Sequence, residues 1–172
     1  MNIVLIGMMG VGKTTLGKEL AKTLDFQFID TDEEITRMHG EISQIFALKG
    51  EKYFRELETQ AVKKLSQKDG LVIATGGGLP LAAENRVALK ENGIVVYLKA
   101  TAQTIESRLR EDSTRPLLQG ESLSLREKID GLLAIRSEIY QQLADFVVTV
   151  DGKSIERLLK ELIEKIQGAG TE

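Results

Sequence analysis

Gly7, Gly12, Lys13 and Thr14 complete the pattern G-x-x-x-x-G-K-[ST], a spacing that can hold a chain of phosphates. Gly7, Gly10 and Gly12 lack Cβ atoms, so the backbone there can take positive φ and approach an anion closely. Successive N–H groups then point into one concavity, and a helix starting beside them adds positive potential. Lys13 can reach the β- and γ-phosphates of ATP, and the Thr14 hydroxyl can ligate Mg²⁺. Gly10, Val11, Gly12, Lys13, Thr14 and Thr15 are therefore expected to line a nucleotide phosphate site. A ligand-free strand-to-helix turn is the bland alternative. Context opposes it, because the apolar run Ile3–Ile6 precedes the loop and Leu16, Leu20 and Leu24 follow at helical spacing.

Further along, Asp30 and Asp32 follow a second apolar run. At the carboxyl end of a strand two carboxylates can face a phosphate loop, one holding Mg²⁺ through water and the other orienting or deprotonating an acceptor hydroxyl. Either could instead cap the helix expected from Glu33. Arg55 and Glu58 are three apart and can touch on one helix face, which alone would be an ordinary surface ion pair. A second arginine, Arg136, raises the alternative of two guanidiniums around a carboxylate. Gly76-Gly77-Gly78 follows another strand and reads either as bare backbone for a ligand or as a flexible turn. Arg115 sits in a polar loop before Pro116, suited to closing on phosphates or simply solvated. His39, the single histidine, lies at a helix end with no partner ligands in sequence and reads as a helix-terminal residue.

Short apolar runs at about 3–6, 26–30, 71–74, 94–98 and 146–150 alternate with helical patterns. That order predicts βαβ units, hence an α/β fold with a parallel sheet between helical layers. Helices are expected at 33–38, 43–48, 51–65, 81–91 and 101–110, with Gly40, Gly50 and Asn92-Gly93 as stops. Ser124-x-x-Glu127 is a capping box opening a helix to about Leu143, and Ile155 to Ile166 repeats at a 3.6-residue period. Segments 31–65 and 111–122 exceed what simple crossovers need, which suits an acceptor site and a lid.

The 172 residues fit one domain, 1–172. Net charge is −3 with mixed signs, and no basic stripe or supply of aromatics argues for nucleic acid. Without cysteine there is neither a disulfide nor a thiolate metal site. No leader-like segment and no membrane-length apolar run are present, so a cytoplasmic protein is expected, with a monomer as the default.

Taken in order, Gly7–Thr15, Asp30-Thr-Asp32, Phe54-Arg55-x-x-Glu58, Gly76–Gly78, Arg115-Pro116-Leu117-Leu118 and Arg136-x-x-x-Tyr140 resemble shikimate kinase over nearly the whole chain. The resemblance implies a nucleoside-monophosphate-kinase-like P-loop core with a central five-stranded parallel sheet, a substrate-binding helical segment and a lid. It implies transfer of the ATP γ-phosphate to the shikimate 3-hydroxyl, on the route to chorismate and aromatic amino acids. By position it gives Lys13 the phosphates, Thr14 the Mg²⁺ and Asp30 the outer metal shell. Asp32 would bind shikimate hydroxyls and take the proton. Arg55, Gly77 and Arg136 would hold shikimate, Arg115 would close on nucleotide phosphates, and Arg108 and Lys153 would border the adenine. Gluconate-type and nucleoside monophosphate kinases share the loop but explain Phe54-Arg55-x-x-Glu58 with Arg136 less well. A GTPase switch would carry N-K-x-D and D-x-x-G, and neither string occurs. A non-catalytic nucleotide binder is the remaining alternative, which retained nucleotide binding without turnover would favour, although the catalytic residue types are all present.

Overall fold

The computed structural model describes residues 1–111 and 123–169. Five strands, β1 (Asn2–Ile6), β2 (Gln27–Asp30), β3 (Leu71–Ala74), β4 (Gly93–Lys99) and β5 (Phe146–Thr149), form one parallel sheet in the order β2-β3-β1-β4-β5. β1 and β3 are buried at every residue, as strands covered on both faces must be. Chain order reverses around β1: β2 and β3 lie to one side, β4 and β5 to the other. Ligands of such sheets bind outside the carboxyl edge at that reversal. Register pairs Asp30 with Ala74 and Ala74 with Leu5, so β2, β3 and β1 end level with one another.

The helices are α1 (Lys13–Leu24), α2 (Thr31–His39), α3 (Ile42–Ser66), α4 (Ala83–Glu91), α5 (Ala102–Arg110), α6 (Leu125–Leu143) and α7 (Ile155–Ala169). α1 sits close on β2 because residue 17 is glycine: a Cβ there would stand 2.5 Å from the Phe28 ring. α7 buries Leu158, Leu162 and Ile166 at intervals of four, the period read from sequence. Ile35, Ile45, Phe54 and Leu57 form a separate small core between α2 and α3. This gives the segment after β2 its own packing while the main core fills around the sheet.

Four expectations shift. α2 begins at Thr31, two residues early, because Asp30 rather than a later residue caps it. The helices expected at 43–48 and 51–65 meet directly at Gly50, whose φ of 82° and ψ of 170° break the helical backbone: the stop stands, but no loop separates the two within α3. The helix expected from 81 starts at Ala83, after a 3-10 turn at Leu79–Leu81. Gly93 is no stop but the first residue of β4, paired with Asn2; a Cβ there would meet Leu89 O at 2.5 Å and Val4 at 2.9 Å. Glycine serves close packing at that point. The capping box is present in its first half, Ser124 Oγ accepting from the Glu127 N–H at 3.2 Å. His39 is the exposed last residue of α2. The lid expected at 111–122, with Arg115, falls from 112 onward outside the described residues.

Candidate active site

All three loop glycines take positive φ, 144° at Gly7, 78° at Gly10 and 99° at Gly12, a region that disfavours any side chain. A Cβ on Gly7 would stand 2.5 Å from the Leu98 carbonyl oxygen. Gly12 precedes α1 without a side-chain cap, and no acid lies in the first turn. α2, α5 and α6, by contrast, start on Asp30, Thr101 and Ser124, whose side chains accept from the first N–H groups. The uncapped end of α1 leaves its donors for an anion. Lys13 Nζ donates to the carbonyls of Gly7 (2.8 Å) and Met8 (2.9 Å), folding across the loop. Arg108 of α5 donates through Nη1 to the carbonyls of Val11 (2.8 Å) and Gly10 (3.3 Å). This places Arg108 against the phosphate loop from the far side of the sheet reversal.

Asp30 caps the helix, one of the readings the sequence left open, and also faces the phosphate loop. Its Oδ1 accepts from the N–H groups of Asp32 (3.0 Å) and Glu33 (3.3 Å), capping α2. Its Oδ2 accepts from the Thr14 hydroxyl at 2.8 Å. A hydroxyl and a carboxylate, both hard oxygen ligands, thus meet at the start of α1, which is the donor set Mg²⁺ takes when phosphates and water complete its shell. Among the described residues no three histidine, aspartate or glutamate side chains gather into a metal cage.

The triple glycine is neither a floppy turn nor simply bare backbone. A Cβ on Gly76 would lie 2.6 Å from Asp32 Oδ1 and 3.1 Å from Glu58 Oε1. One on Gly77 would lie 3.0 Å from Arg136 Nη1, and one on Gly78 would collide with Arg55 Nη1. Each glycine makes room for a different charged side chain. The three elements α2, α3 and α6 can therefore converge on one turn after β3. Thr31, fully buried, accepts from the Gly76 N–H at 2.9 Å and ties the end of β2 to this turn.

Arg55 donates to Glu58 at 2.7 Å and to Glu51 at 3.2 Å. The Glu58 side chain is 1% exposed, so this pair is no surface ornament. Burial, opposed by the Arg55 charge, pushes the Glu58 carboxyl up to about 7; Asp32 adds to the rise and Arg136 opposes it. Arg136 is buried as well, and its Nε and Nη1 have no hydrogen-bond partner among the described residues. A buried guanidinium with open donors is costly unless something anionic completes it. One cleft of about 1030 Å³ runs continuously from the phosphate loop past Asp30 and Asp32 to Arg55, Glu58 and Arg136, and Lys153 borders it too. Lys153 Nζ is held by Glu161 at 2.6 Å. Asp151 accepts from the Thr101 N–H and hydroxyl (3.0 and 2.9 Å), which fixes that loop to the start of α5.

The raised Glu58 carboxyl has a consequence for stability. The folded chain binds this proton more tightly than the unfolded chain, so stability from this group is full below about pH 4.5 and is lost as pH rises through about 7. Glu58→Gln removes that dependence. Its melting temperature relative to wild type is expected to rise between pH 5 and pH 8, as read by calorimetry at several pH values. A constant difference would mean that Glu58 titrates as an ordinary carboxylate.

Structure brings together Lys13, Thr14, Asp30, Asp32, Arg55, Gly77, Arg108, Arg136 and Lys153 around this one cleft. Arg115 lies outside the described residues. Two residues of the quoted motifs were given no role by the sequence reading. Thr31 carried no signal beyond its place between two aspartates. Tyr140, one turn after Arg136, donates its hydroxyl to the Gly77 carbonyl at 2.6 Å; the i, i+4 spacing was the available clue.

Comparison with known proteins follows the same division. The family model described as "Shikimate kinase" matches residues 9–167. A shikimate kinase of Hahella chejuensis is 42% identical over 173 residues, covering 99% of this chain and 88% of that protein. The solved structure of shikimate kinase from Acinetobacter baumannii in complex with shikimate superposes with a TM-score of 0.93 at 38% identity, covering 99% of this chain and 95% of that one. Deoxyadenosine kinase from M. mycoides superposes at 0.64 with 18% identity over 98% of this chain and 100% of that one, which shows a shared fold alone.

Proposed function

The chain belongs to the shikimate kinase family and phosphorylates shikimate, and we propose that it does so by moving the γ-phosphoryl group of ATP to the 3-hydroxyl, with the following division of labour. Lys13 and the open N–H groups of α1 hold the phosphates, and Arg108 and Lys153 border the adenine. Asp32 binds the acceptor hydroxyls and receives the proton that the 3-hydroxyl gives up. Arg55 and Arg136 take the carboxylate, and Gly77 lets the ring lie close. Arg115, placed by its motif, closes on the nucleotide phosphates. Thr14 and Asp30 hold Mg²⁺, which when bound neutralises charge between the phosphates. Segment 31–65 supplies the acceptor side and 111–122 the lid, within a single domain. The enzyme works as a cytoplasmic monomer, with neither nucleic acid nor membrane as partner. No helix among the described residues is long and apolar enough to cross a membrane.

The observation that carries this reading is the turn at Gly76–Gly78, where Asp32, Arg136 and Arg55 each occupy the space of a missing Cβ beside the phosphate loop. A coupled ADP-release assay across a panel of acceptors tests it directly: turnover that depends on shikimate supports it, and turnover with gluconate or a nucleoside monophosphate instead overturns it. A finer test addresses the carboxylate. Each charge-assisted contact contributes roughly 1.5–3 kcal/mol, and lysine cannot reproduce the planar fork. Arg55→Lys and Arg136→Lys are expected to lower kcat/KM for shikimate about tenfold or more, with ATP affinity unchanged. The shikimate carboxamide should cost wild type far more than either variant. Losses that simply add would mean that the arginines do not read the carboxylate.

A further inference from the structure

Three consecutive carbonyls leave the glycine turn, and each is satisfied differently. Gly76 O accepts from the Leu79 N–H at 3.2 Å and Gly78 O from the Leu81 N–H at 3.1 Å, so the 3-10 turn uses both. The Gly77 carbonyl is reached by a side chain, the Tyr140 hydroxyl, at 2.6 Å. Tyr140 is fully buried, with its ring centroid 5.1 Å from that of Tyr97 on β4. Burial pushes its hydroxyl up to about 12 against the opposing charge of Arg136 and a hydrogen bond with that side chain, so at neutral pH it remains a donor.

Arg136 lies one turn earlier on the same helix, and its Nη1 comes within 3.0 Å of where a Gly77 Cβ would stand. Its Nε and Nη1 are buried without partners among the described residues. Open guanidinium donors in a dry site take whatever acceptor is within reach, and the Gly77 carbonyl belongs to the residue they border. Were that oxygen uncovered, the guanidinium could satisfy itself on backbone and turn away from the cleft. We propose that Tyr140 is a positioning residue for carboxylate recognition: by occupying the Gly77 carbonyl it keeps the Arg136 fork free for the acceptor's anionic group. The inference rests on the reading of the site given above and deepens it. Tyr140 touches neither substrate nor reacting atoms and acts through Arg136.

Removing only the hydroxyl, Tyr140→Phe, uncovers the carbonyl while keeping the ring on Tyr97. The shikimate KM is expected to rise about fivefold to tenfold, the scale of one net hydrogen bond, with kcat and the ATP KM held within about twofold. For the shikimate carboxamide, which offers Arg136 no charge, KM should not change. A tyrosine that merely packs α6 on the sheet would move both acceptors equally, or lower kcat and thermal stability together, and either result overturns the proposal. An unchanged shikimate KM does so too. Wild type that fails to prefer acid over amide overturns the carboxylate reading and this inference with it. Wild type that discriminates, beside a Tyr140→Phe variant that discriminates equally, overturns the inference alone. Tyr140→Met, which fills the ring space flexibly without a donor, is measured alongside. If neither variant melts cooperatively, the tyrosine is structural and the proposal fails.

Discussion

Lys13→Ala is expected to keep the fold and lose turnover by about a hundredfold to a thousandfold or more, the range found when a single donor to developing charge is removed. In the structure its ammonium bridges the Gly7 and Met8 carbonyls at 2.8 and 2.9 Å. Those bonds are not what shapes the loop. Positive φ at Gly7, Gly10 and Gly12 does that, with Arg108 fastening the Gly10 and Val11 carbonyls from α5. Lys13 is only partly buried, so its loss leaves solvent to satisfy the two carbonyls. Thermal melting should therefore change little. Catalysis is another matter, because charge accumulates on the transferring phosphoryl oxygens and positioning with electrostatic stabilisation supplies most of the acceleration. Circular dichroism establishes the fold, nucleotide titration the binding, and steady-state kinetics the loss. Lys13→Met, which keeps the aliphatic stem, should be as impaired as alanine if charge is the cause. A folded variant turning over near the wild-type rate would remove the lysine from the mechanism.

The phosphate loop was legible because its chemistry is local: glycines, lysine and threonine must be contiguous, so spacing alone reveals them. Strands and helices were legible for the same reason, since burial on a sheet or helix face imposes a short period. What lay beyond reach was convergence. Arg55 and Arg136 are 81 positions apart (136 − 55), and only the turn at Gly76–Gly78 shows why they share a pocket. The sequence offered those glycines as backbone freedom, yet none of the three takes positive φ. Their function is volume, the space of one Cβ each given to Asp32, Arg136 and Arg55, and no pattern within a single segment records a neighbour supplied by another. Glu58 shows the same limit in energetic form. As half of an i, i+3 pair it read as a surface ornament, whereas burial, which sequence does not display, pushes its carboxyl up to about 7. Glycine usually punctuates, and Gly50 does break the helical backbone, whereas Gly93 opens β4 and serves a close approach of Val4 and Leu89.

Asp32→Asn separates chemistry from architecture at the acceptor end. Asp32 serves the fold through its backbone N–H, which donates to Asp30 Oδ1 at 3.0 Å, and that bond survives the substitution. The amide is nearly isosteric, so the space beside Gly76, where Oδ1 sits 2.6 Å from a Cβ position, still accommodates it. Asp30→Asn would be a blunter change, since that carboxylate both caps α2 and accepts from Thr14. At position 32 the substitution removes one negative charge from the neighbourhood of Glu58 and one proton acceptor from the cleft. ATP affinity is expected to stay within about twofold, because the substitution leaves Lys13, the α1 donors and the Thr14–Asp30 bond in place. Turnover should fall about a hundredfold to ten-thousandfold, the usual contribution of a positioned general base. Titration of shikimate into the ATP-free variant separates the two roles still possible for this side chain. Weakened binding with the residual rate intact would make Asp32 a positioning group for the hydroxyls. Intact binding with the rate lost would make it the proton acceptor. Binding and rate both unchanged would reduce Asp32 to a residue of the first turn of α2 and send the search for a base elsewhere in the cleft.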